Sequence, residues 1–398
     1  MRLIMIISGQ FTDSLSPIMD GVAITVQNYV YWLNKIHAPS FAIGPKVPNF
    51  KDVDHHILRY KSLPAQISGP YRLGVPRIDR TFNHKIGMFP FDIVHAHCPF
   101  VSGNYALSLS RKRKIPLVAT FHSKYRDDFA KWLKIDVTLD QVISMIVKFY
   151  EQADSVWVPN EAIIETLREY GYKGKIDYVP NGSDLVLDET DDMQNLKKEG
   201  QEILNCAPQI VTLLYVGQHR WVKNIRLIID SLKILNERKI NYQMRFVGDG
   251  SDMEKIQDLV NKYKMNNQVS FVGPIYDRGK LKRIYAASDL FVFPSLYDNA
   301  SLATREAAGL NIPTIFVEYA TTANGIVDNQ NGFLSANDAI SFADKLVLIL
   351  SDLKNLKSVG QNARESLYKP WDEIASMVYG KYDEIVDQFK YEHLKRIF

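Results

Sequence analysis

The chain has 398 residues, enough for two domains that each bury a core, and its 46% apolar and 23% charged residues are typical of an ordinary soluble globular protein. The net charge of +3 indicates no class of partner by itself, and no nucleic-acid partner is expected. The two cysteines lie far apart in the sequence, which argues against a disulfide framework and for a reducing, cytoplasmic setting. The N-terminal apolar run is too short for a signal peptide, and no run of about 20 apolar residues predicts a spanning helix.

The first half of the chain alternates predicted strands and helices. An apolar strand at 3–8 is followed by a loop at 9–21 and an amphipathic helix at 22–33, which is the opening of a doubly wound sheet. Gly21 is a candidate for the close approach of a phosphate, and a flexible turn explains it equally. The later elements are strands at 41–44, 92–97, 117–122, 155–159 and 176–182, and helices at 105–110, 139–150 (capped by Thr138) and 161–170.

Two histidines stand where predicted strands of this half end. His97 closes one strand and His122 the next. Parallel sheets collect their ligands at the carboxyl ends of strands, so both are candidate site residues. A structural role for either histidine is an equally good interpretation.

The acidic, polar segment 185–208 is predicted to be a linker between an N-terminal domain, 1–184, and a C-terminal domain, 209–370. The C-terminal domain repeats the pattern of strand and helix, so the fold class is α/β, two Rossmann-like doubly wound domains facing a cleft. The tail, 371–398, has apolar residues at helical spacing and is predicted to pack on its own domain or to cross back to the N-terminal one.

A strand, a loop and a helix between 289 and 309 carry the most informative pattern. Pro294 ends the strand, Asn299 or Ser301 can cap the helix, and Gly309 ends it. Asp298 precedes the helix and Glu306 lies inside it. Helix-start amides attract anions, so the segment suits a ligand with both hydroxyls and phosphates. An ordinary capped helix with a surface glutamate is the alternative.

With these elements in order, the chain resembles the family-4 retaining glycosyltransferases of the GT-B fold, of the type that makes bacterial glycolipids or surface polysaccharides. The resemblance covers nearly the whole chain and is strongest from Tyr215 to Leu334. It is carried by YVGQHRWVKN at 215–224, VGDG at 247–250, VGP at 272–274, ASDLFVFPS at 287–295, the carboxylate pair Asp298 and Glu306, NGFL at 331–334, and ATFH at 119–122.

The resemblance implies transfer of a hexose from a UDP- or GDP-sugar to a lipid or glycan acceptor, without a metal ion or other cofactor. Lys223 is the implied cation on the diphosphate, Asp298 the partner of sugar hydroxyls, and Glu306 the partner of the ribose. His122 is expected to hydrogen-bond the sugar. The donor-binding set is completed by the glycines and polar residues of the neighbouring loops: Gly21, Gly217, Gln218, Arg220, Gly248, Asn299, Ala300 and Ser301.

Three departures from the family pattern affect this expectation. Gln218 stands where the family has arginine, with Arg220 as a candidate substitute, and the first acid is Asp298 instead of a glutamate. The loop 319–325 lacks the usual glycine pair and acid, so that Thr321 and Thr322 are candidates for contact with phosphate or sugar. A catalytically weak, sugar-nucleotide-binding partner of another glycosyltransferase is therefore the alternative function.

Basic residues cluster in the first half of the chain, at 111–114 and between 124 and 134. Together with Trp132 they suit an anionic membrane surface, such as the inner face of the plasma membrane, on which a lipid acceptor would lie. Solvated helix faces are the alternative explanation. The turn-rich segment 69–76 is a candidate for lining the acceptor site.

Overall fold

The computed structural model describes residues 5–18, 20–65, 71–130, 136–188 and 190–395. The chain divides into two compact units. The first runs to Asn181 and resumes at Trp371, and the second is Gly182–Pro370. In the part of the chain described, none of the helices has both the length and the apolarity that a bilayer crossing requires.

The first unit is built on a parallel sheet with the order β3-β2-β1-β6-β7-β8-β9, while β4 and β5 pair as a separate antiparallel hairpin. Its strands are β1 (Ser8–Phe11), β2 (Ser40–Pro45), β3 (Ile57–Tyr60), β4 (Ser62–Pro64), β5 (Arg72–Gly74), β6 (Ile93–Ala96), β7 (Leu117–Thr120), β8 (Ser155–Val158) and β9 (Asp177–Tyr178). Its helices before the second unit are α1 (Gly21–Ile36), α2 (Arg80–Met88), α3 (Val101–Arg113), α4 (Tyr125–Ala130), α5 (Asp136–Tyr150) and α6 (Ala162–Glu169).

The second unit repeats this plan with a parallel sheet of order β12-β11-β10-β13-β14-β15. Its strands are β10 (Thr212–Val216), β11 (Gln243–Val247), β12 (Val269–Gly273), β13 (Leu290–Val292), β14 (Thr314–Val317) and β15 (Phe333–Ser335). Its helices are α7 (Met193–Leu204), α8 (Ile225–Glu237), α9 (Met253–Lys262), α10 (Arg278–Ala286), α11 (Leu302–Gly309), α12 (Ala339–Ser351) and α13 (Leu353–Leu367).

Both sheets reverse their strand order at one place, between β1 and β6 in the first unit and between β10 and β13 in the second. Connections run to opposite sides at such a point, which leaves a crevice beyond the carboxyl ends of the two strands. The central strands are buried on both faces, as parallel strands covered by helices must be. The predicted doubly wound α/β class is confirmed for each unit.

The last helix of the chain, α14 (Trp371–Lys395), packs against α1 of the first unit. Its apolar face buries Trp371, Ile374, Val378 and Tyr382. Trp371 meets Tyr29 of α1 edge to face, with ring centroids 5.9 Å apart. The tail therefore belongs to the first unit, although it follows the second in sequence.

Three predicted elements are wrong in position. The first strand is Ser8–Phe11 instead of 3–8, because its ladder pairs Ser8 with Ser40 and Ile93, and because Gly9 fits closely against Phe91; residues 3 and 4 lie outside the described part. The predicted linker 185–208 contains α7, which packs on α10, although Glu189 is not described. Thr138 lies inside α5 and does not cap it.

Candidate functional site

The loops after β10 and β11 bring the predicted phosphate-binding glycines together. The Gly217 amide donates to the Val247 carbonyl over 3.0 Å. A Cβ on Gly248 would lie 2.1 Å from the Gly217 carbonyl oxygen, and Gly248 has φ of +128°. Only glycine fits there, because a second loop passes so close. The close approach of the protein's own backbone therefore explains why residue 248 is a glycine.

Lys223 and Asp298 form the centre of the candidate site in the second unit. Lys223 follows β10 in a short 3-10 turn, and Asp298 follows β13, so each lies beyond one of the strands that flank the sheet's reversal point. Lys223 Nζ donates to Asp298 Oδ1 over 2.5 Å and lies 4.9 Å from the centre of the Tyr297 ring. The two side chains are only 12% and 22% exposed, so this ion pair is substantially desolvated.

The second carboxylate oxygen of Asp298 has no hydrogen-bond partner in the described part of the chain. Asp298 Oδ2 is buried and accepts no hydrogen bond from any described residue. A buried acceptor left unpaired costs about 1–3 kcal/mol. The carboxylate is therefore already neutralised on one side and ready to accept a ligand's hydroxyl on the other.

The loop that carries Asp298 is tied to its neighbours. The Asp298 amide donates to Ser295 Oγ over 3.3 Å, and Thr322 Oγ1 donates to the Ser295 carbonyl over 3.2 Å. Asn224 Nδ2 donates to the Pro294 carbonyl over 3.1 Å. Thr322, predicted as a ligand contact, thus makes a hydrogen bond within the protein, and the contact of Thr321 with a ligand stays a prediction.

Helix α11 starts at Leu302, shortly after Asp298, so Asp298 precedes the helix as the sequence predicts. Ser301 occupies the N-cap position but its side chain caps no amide, whereas Asn299 is buried and Ala300 partly buried. Asn299, Ala300 and Ser301 therefore lie at the amino end of a helix, where main-chain amides are available to an anion.

Glu306 lies one turn into α11 and is only 6% exposed. Arg278 Nη2 donates to its Oε1 over 2.8 Å, and Tyr285 Oη donates to its Oε2 over 3.1 Å. Arg278 also binds Asp184 with two hydrogen bonds. These acids raise the pKa of Arg278, and burial next to Glu306 raises the pKa of Tyr285 well above its usual range. The glutamate is therefore held rigidly between a cation and a phenol.

The three residues that follow Gly217, where the family arginine is missing, have different environments. Gln218 is exposed, and its carbonyl accepts from Tyr215 Oη over 3.0 Å. His219 is buried among aromatic rings, its pKa is lowered to about 4 by burial, and neither ring nitrogen has a partner among the described residues. Arg220 is partly buried, and its side chain donates to none of the described residues. A guanidinium is thus available on this loop, two residues after the usual position.

In the first unit, His122 follows β7 and is partly buried. Its Nε2 lies 3.1 Å from His97 Nδ1, and the two rings stack with centroids 5.3 Å apart. Burial lowers the pKa of His122 to about 4, so the ring is neutral at ordinary pH. The two histidines that the sequence places at strand ends are therefore partners of one another.

Gly21 is the first residue of α1, and Asp20 caps this helix by accepting from the Ala23 amide over 2.8 Å. Asp20 also accepts from Ser14 Oγ and from Tyr71 Oη. A Cβ on Gly21 would meet no atom within 4 Å, so the fold of this unit does not require glycine there.

A cavity of about 540 Å³ lies in the first unit beside the N-terminus of α3. Its walls are mainly apolar, with Arg77 and Asn104 as polar groups. Part of the predicted acceptor segment, Gly74 to Pro76, lines it, while Gly69 and Pro70 lie outside the described residues.

The basic cluster 111–114 is only partly free. Arg113 donates to the carbonyls of Ile86 and Gly87 at the end of α2, and Arg111 donates to the Gln152 carbonyl. Lys112 and Lys114 are exposed. In the second predicted basic stretch, Lys131, Trp132 and Lys134 lie outside the described residues.

Several residues at these sites escaped the sequence analysis. Their types are ordinary for core or surface positions, and only the pairing of distant strands and helices brings them to the site. They are Gln10, His95 and Tyr382 around His97, and Asp184, Arg278 and Tyr285 around Glu306.

The chain is similar to known glycosyltransferases over both units. Residues 19–187 match the model of Glycosyltransferase Family 4, and residues 197–366 match that of the Glycosyl transferases group 1. The alpha-monoglucosyldiacylglycerol synthase of Streptococcus pneumoniae is 24% identical over 82% of this chain and 74% of that protein. The synthase of the same name from Acholeplasma laidlawii is 22% identical over 94% of each.

A solved structure shows the same fold. HepE from Anabaena, crystallised in complex with UDP and glucose, aligns with a TM-score of 0.74 over 95% of this chain and 99% of its own, at 15% identity. At that level of identity the likeness establishes the GT-B architecture of Rossmann-like domains and leaves the ligand to be argued from residues.

Proposed function

Since the chain belongs to the group 1 and family 4 glycosyltransferases, we propose that it transfers a hexose from a nucleoside-diphosphate sugar to a lipid, lipid-linked or saccharide acceptor, with retention of the anomeric configuration. The observation that carries this proposal is the Lys223–Asp298 ion pair beside the amino end of α11. It brings together a cation, the amino end of a helix and a carboxylate that can accept from hydroxyls.

The leaving group in this reaction is a nucleoside diphosphate, which gains negative charge as the glycosidic bond breaks. Lys223 and the amides near Asn299 and Ser301 stabilise that charge, and Arg220 adds a second cation in place of the missing arginine. Asp298 Oδ2, buried and unpaired among the described residues, accepts from a hydroxyl of the sugar. Glu306, held by Arg278 and Tyr285, accepts from the ribose hydroxyls.

His122 is proposed to hydrogen-bond the sugar. Its low pKa keeps it neutral, so that no positive charge stands beside the oxocarbenium-like transition state. The donor phosphate takes the acceptor's proton as the new bond forms. The reaction needs no metal ion, and activity is expected to survive treatment with EDTA.

The acceptor is proposed to carry an apolar portion. The relatives from Streptococcus pneumoniae and Acholeplasma laidlawii are named for making a glucosylated diacylglycerol. The cavity beside α3, about 540 Å³ with mainly apolar walls, has the size and character of a small-molecule pocket.

The transfer reaction is tested with UDP- and GDP-sugars and a diacylglycerol acceptor in micelles. Lys223→Ala and Glu306→Ala are each expected to lower kcat/KM by roughly 100-fold or more, as removal of a group that stabilises developing charge typically does. The matched control is Lys233→Ala, which removes an exposed lysine of the same unit and leaves activity unchanged. Equal rates for wild type and both site variants would favour the alternative, a catalytically weak sugar-nucleotide-binding partner.

That alternative rests on Gln218 and Asp298, the two departures closest to the diphosphate. Calorimetric titration with a panel of nucleotide sugars separates it from the enzyme. A weak partner binds a nucleotide sugar without turnover, and Lys223→Ala then loses binding alone.

Contact with anionic lipid is proposed through Lys112 and Lys114. Neutralising all four residues 111–114 would also break the bonds of Arg111 and Arg113 to carbonyls. Lys112→Gln/Lys114→Gln is therefore the informative variant, with Lys354→Gln/Lys357→Gln on the second unit as its control. Co-sedimentation with anionic vesicles at low salt is expected to fall for the first variant alone, and no binding by wild type would refute this contact.

A further inference from the structure

Glu306 lies in a cluster of charged and polar side chains that belongs wholly to the second unit. Arg278 and Tyr285 stand seven residues apart in α10, so they lie on one face of that helix. Both donate hydrogen bonds to Glu306 of α11, and Arg278 also donates to Asp184, which precedes the first helix of the unit. Three separate segments of the chain are therefore joined through Arg278.

Asp184 fixes the plane of the Arg278 guanidinium. Arg278 Nε donates to Asp184 Oδ2 over 2.9 Å, and Arg278 Nη2 donates to Asp184 Oδ1. Because a guanidinium is flat and rigid, two hydrogen bonds to one carboxylate set the directions of its other N–H bonds. Arg278 Nη2 also donates to Glu306 Oε1, 2.8 Å away. The guanidinium is thus held by one acid while it holds the other.

The Glu306 carboxylate keeps part of its capacity to accept hydrogen bonds. Arg278 occupies one position on Oε1. Tyr285 Oη lies 3.1 Å from Oε2 and 3.2 Å from the Ala303 carbonyl oxygen, and its single hydrogen favours the charged acceptor. An ionised carboxylate offers about four acceptor positions, so one on each oxygen, or more, is left for a ligand. Two neighbouring hydroxyls, such as the 2′- and 3′-hydroxyls of a ribose, match that arrangement.

The cluster contains one cation, Arg278, and two acids, Asp184 and Glu306. The Glu306 side chain is only 8% exposed, so water screens its charge poorly. Without the cation, the two acids would repel a nucleoside diphosphate, which is itself an anion, whatever sugar it carries. Arg278 therefore has two separable effects, a general one on the charge of the site and a specific one on the direction of the Glu306 carboxylate.

We propose that Arg278 is a positioning residue that turns Glu306 toward the two neighbouring hydroxyls of a ribose, so that the site selects ribonucleotides over deoxyribonucleotides. Arg278 acts through Glu306 and is itself held by Asp184. This inference rests on the proposed function, in which Glu306 accepts from the ribose hydroxyls. It adds the group that orients the carboxylate and the selectivity that follows from that orientation.

Calorimetric titration of the whole protein measures this selectivity with UDP, with GDP and with the 2′-deoxy counterpart of each. Wild type is expected to bind a ribonucleotide roughly tenfold or more tightly than its deoxy counterpart, because a hydrogen bond to a charged group is lost. Glu306→Gln removes the charge and one of the two acceptor oxygens. The ratio of the two affinities is expected to approach one in that variant.

Two substitutions of Arg278 separate its general effect from its specific one. Arg278→Gln removes both the charge and the planar fork, so both nucleotides are expected to bind more weakly and the ratio of their affinities to approach one. Arg278→Lys keeps the charge but has no planar fork. The deoxynucleotide is then expected to recover its wild-type affinity, while the ratio stays near one.

Arg283→Gln is the matched control, because Arg283 lies in the same helix and pairs with Glu199 instead of Glu306. It should leave the ratio of the two affinities as in wild type. If Arg278→Gln does not fold, Asp184→Asn is the second variant, since it loosens the guanidinium while Arg278 itself is kept. That variant is expected to lower the ratio and to keep nucleotide binding.

The outcomes separate this inference from the proposed function. No binding of UDP or GDP by wild type would overturn the proposed function and this inference with it. Equal affinities of wild type for a ribonucleotide and its deoxy counterpart would overturn ribose selection at Glu306 and leave the transfer of a hexose standing. A wild-type ratio in the folded Arg278→Gln or Arg278→Lys variant would overturn the positioning role of Arg278, because a loosened fold or a change of charge weakens both nucleotides alike.

Discussion

At the scale of single residues, the charged groups of the candidate site are held in place by partners before any ligand arrives. Lys223 is bound to Asp298, and Glu306 to Arg278. Asp298 keeps Oδ2 without a partner among the described residues, whereas Arg278 is fixed further by its hydrogen bonds to Asp184. Because these side chains are ordered before a ligand binds, binding loses less conformational entropy.

Arg278→Gln tests the pairing around Glu306. It leaves Tyr285 as the remaining side-chain partner of the Glu306 carboxylate among the described residues. Because this carboxylate is only 6% exposed, we expect a loss of roughly 1–3 kcal/mol of unfolding free energy. Urea denaturation measures it. The control, Arg226→Gln, breaks an exposed pair with Asp230 and is expected to cost about 0.5 kcal/mol or less. Equal effects would contradict a special role for Arg278.

The buried histidines predict a loss of stability in acid. Burial lowers the pKa of His95 and His97 well below the usual range, and that of His122 and His219 to about 4. Below about pH 6.5 these histidines bind protons in the unfolded chain but stay neutral in the folded chain. The stability from these groups is complete above about pH 6.5 and is lost as pH falls toward 4.

One buried carboxyl changes the stability with pH in the opposite direction. Burial raises the pKa of Asp13 to about 6, so its contribution is lost as pH rises through 6. Four histidines outweigh one carboxyl, and urea midpoints are expected to fall between pH 6.5 and 4. His219→Leu removes an imidazole whose two nitrogens have no hydrogen-bond partner among the described residues, and it should flatten this slope without loss of stability at pH 7. A slope unchanged by that variant would contradict the assignment.

At the scale of elements, α7 replaces a predicted linker because it packs on α10 with Gly200 buried, while most of its polar residues are partly or fully exposed. Gly200 marks the closest approach, since a Cβ there would lie 1.9 Å from the Arg283 carbonyl oxygen. Composition alone marks the segment as acidic and polar. The helix is stabilised by the neighbour it packs on, as most helices in proteins are.

Gly200→Ala tests this packing. Overfilling a close helix contact is expected to destabilise the second unit by roughly 1–3 kcal/mol. Gly380→Ala in α14 is the matched control, because a Cβ there meets no atom within 4 Å, and it should stabilise by about 0.5–1 kcal/mol through helix propensity. Thermal unfolding compares the two, and a neutral Gly200→Ala would restore the linker interpretation.

At the scale of the whole molecule, the chain leaves the first unit after Asn181 and returns to it at Trp371. The first unit is therefore incomplete until α14 has been made. Tyr382 of α14 stacks on Trp157 of β8 and hydrogen-bonds His95, so this helix closes the core around the histidines.

Truncation after Pro370 tests this division. It removes α14 and exposes Tyr29, Trp157 and His95, so we expect the first unit to lose its cooperative unfolding transition while the second keeps its own. Hydrogen exchange resolved by segment distinguishes the units. Removal of the 3-residue end 396–398 serves as the control and should change neither. Equal loss of protection in both units would contradict the division.

The sequence alone determined the alternation of strands and helices, because buried parallel strands are continuous apolar runs and their helices have a period of 3.6 residues. It placed the starts of β7 and β8 at their observed residues, Leu117 and Ser155, and set Asp298 in the loop before α11. It also led to Lys223, His122 and the glycosyltransferase resemblance, since motifs are local in sequence.

Only the tertiary structure decided which distant groups meet. The pairing of Lys223 with Asp298, the seat of Glu306 between Arg278 and Tyr285, and the Gln10–His97–His122 series each join separate elements. The register of β1 and the packing of α7 and α14 were likewise set by neighbours. Local sequence patterns indicate whether a residue is buried. The packing of the whole sheet determines which hydrogen-bond or ion-pair partner it meets there.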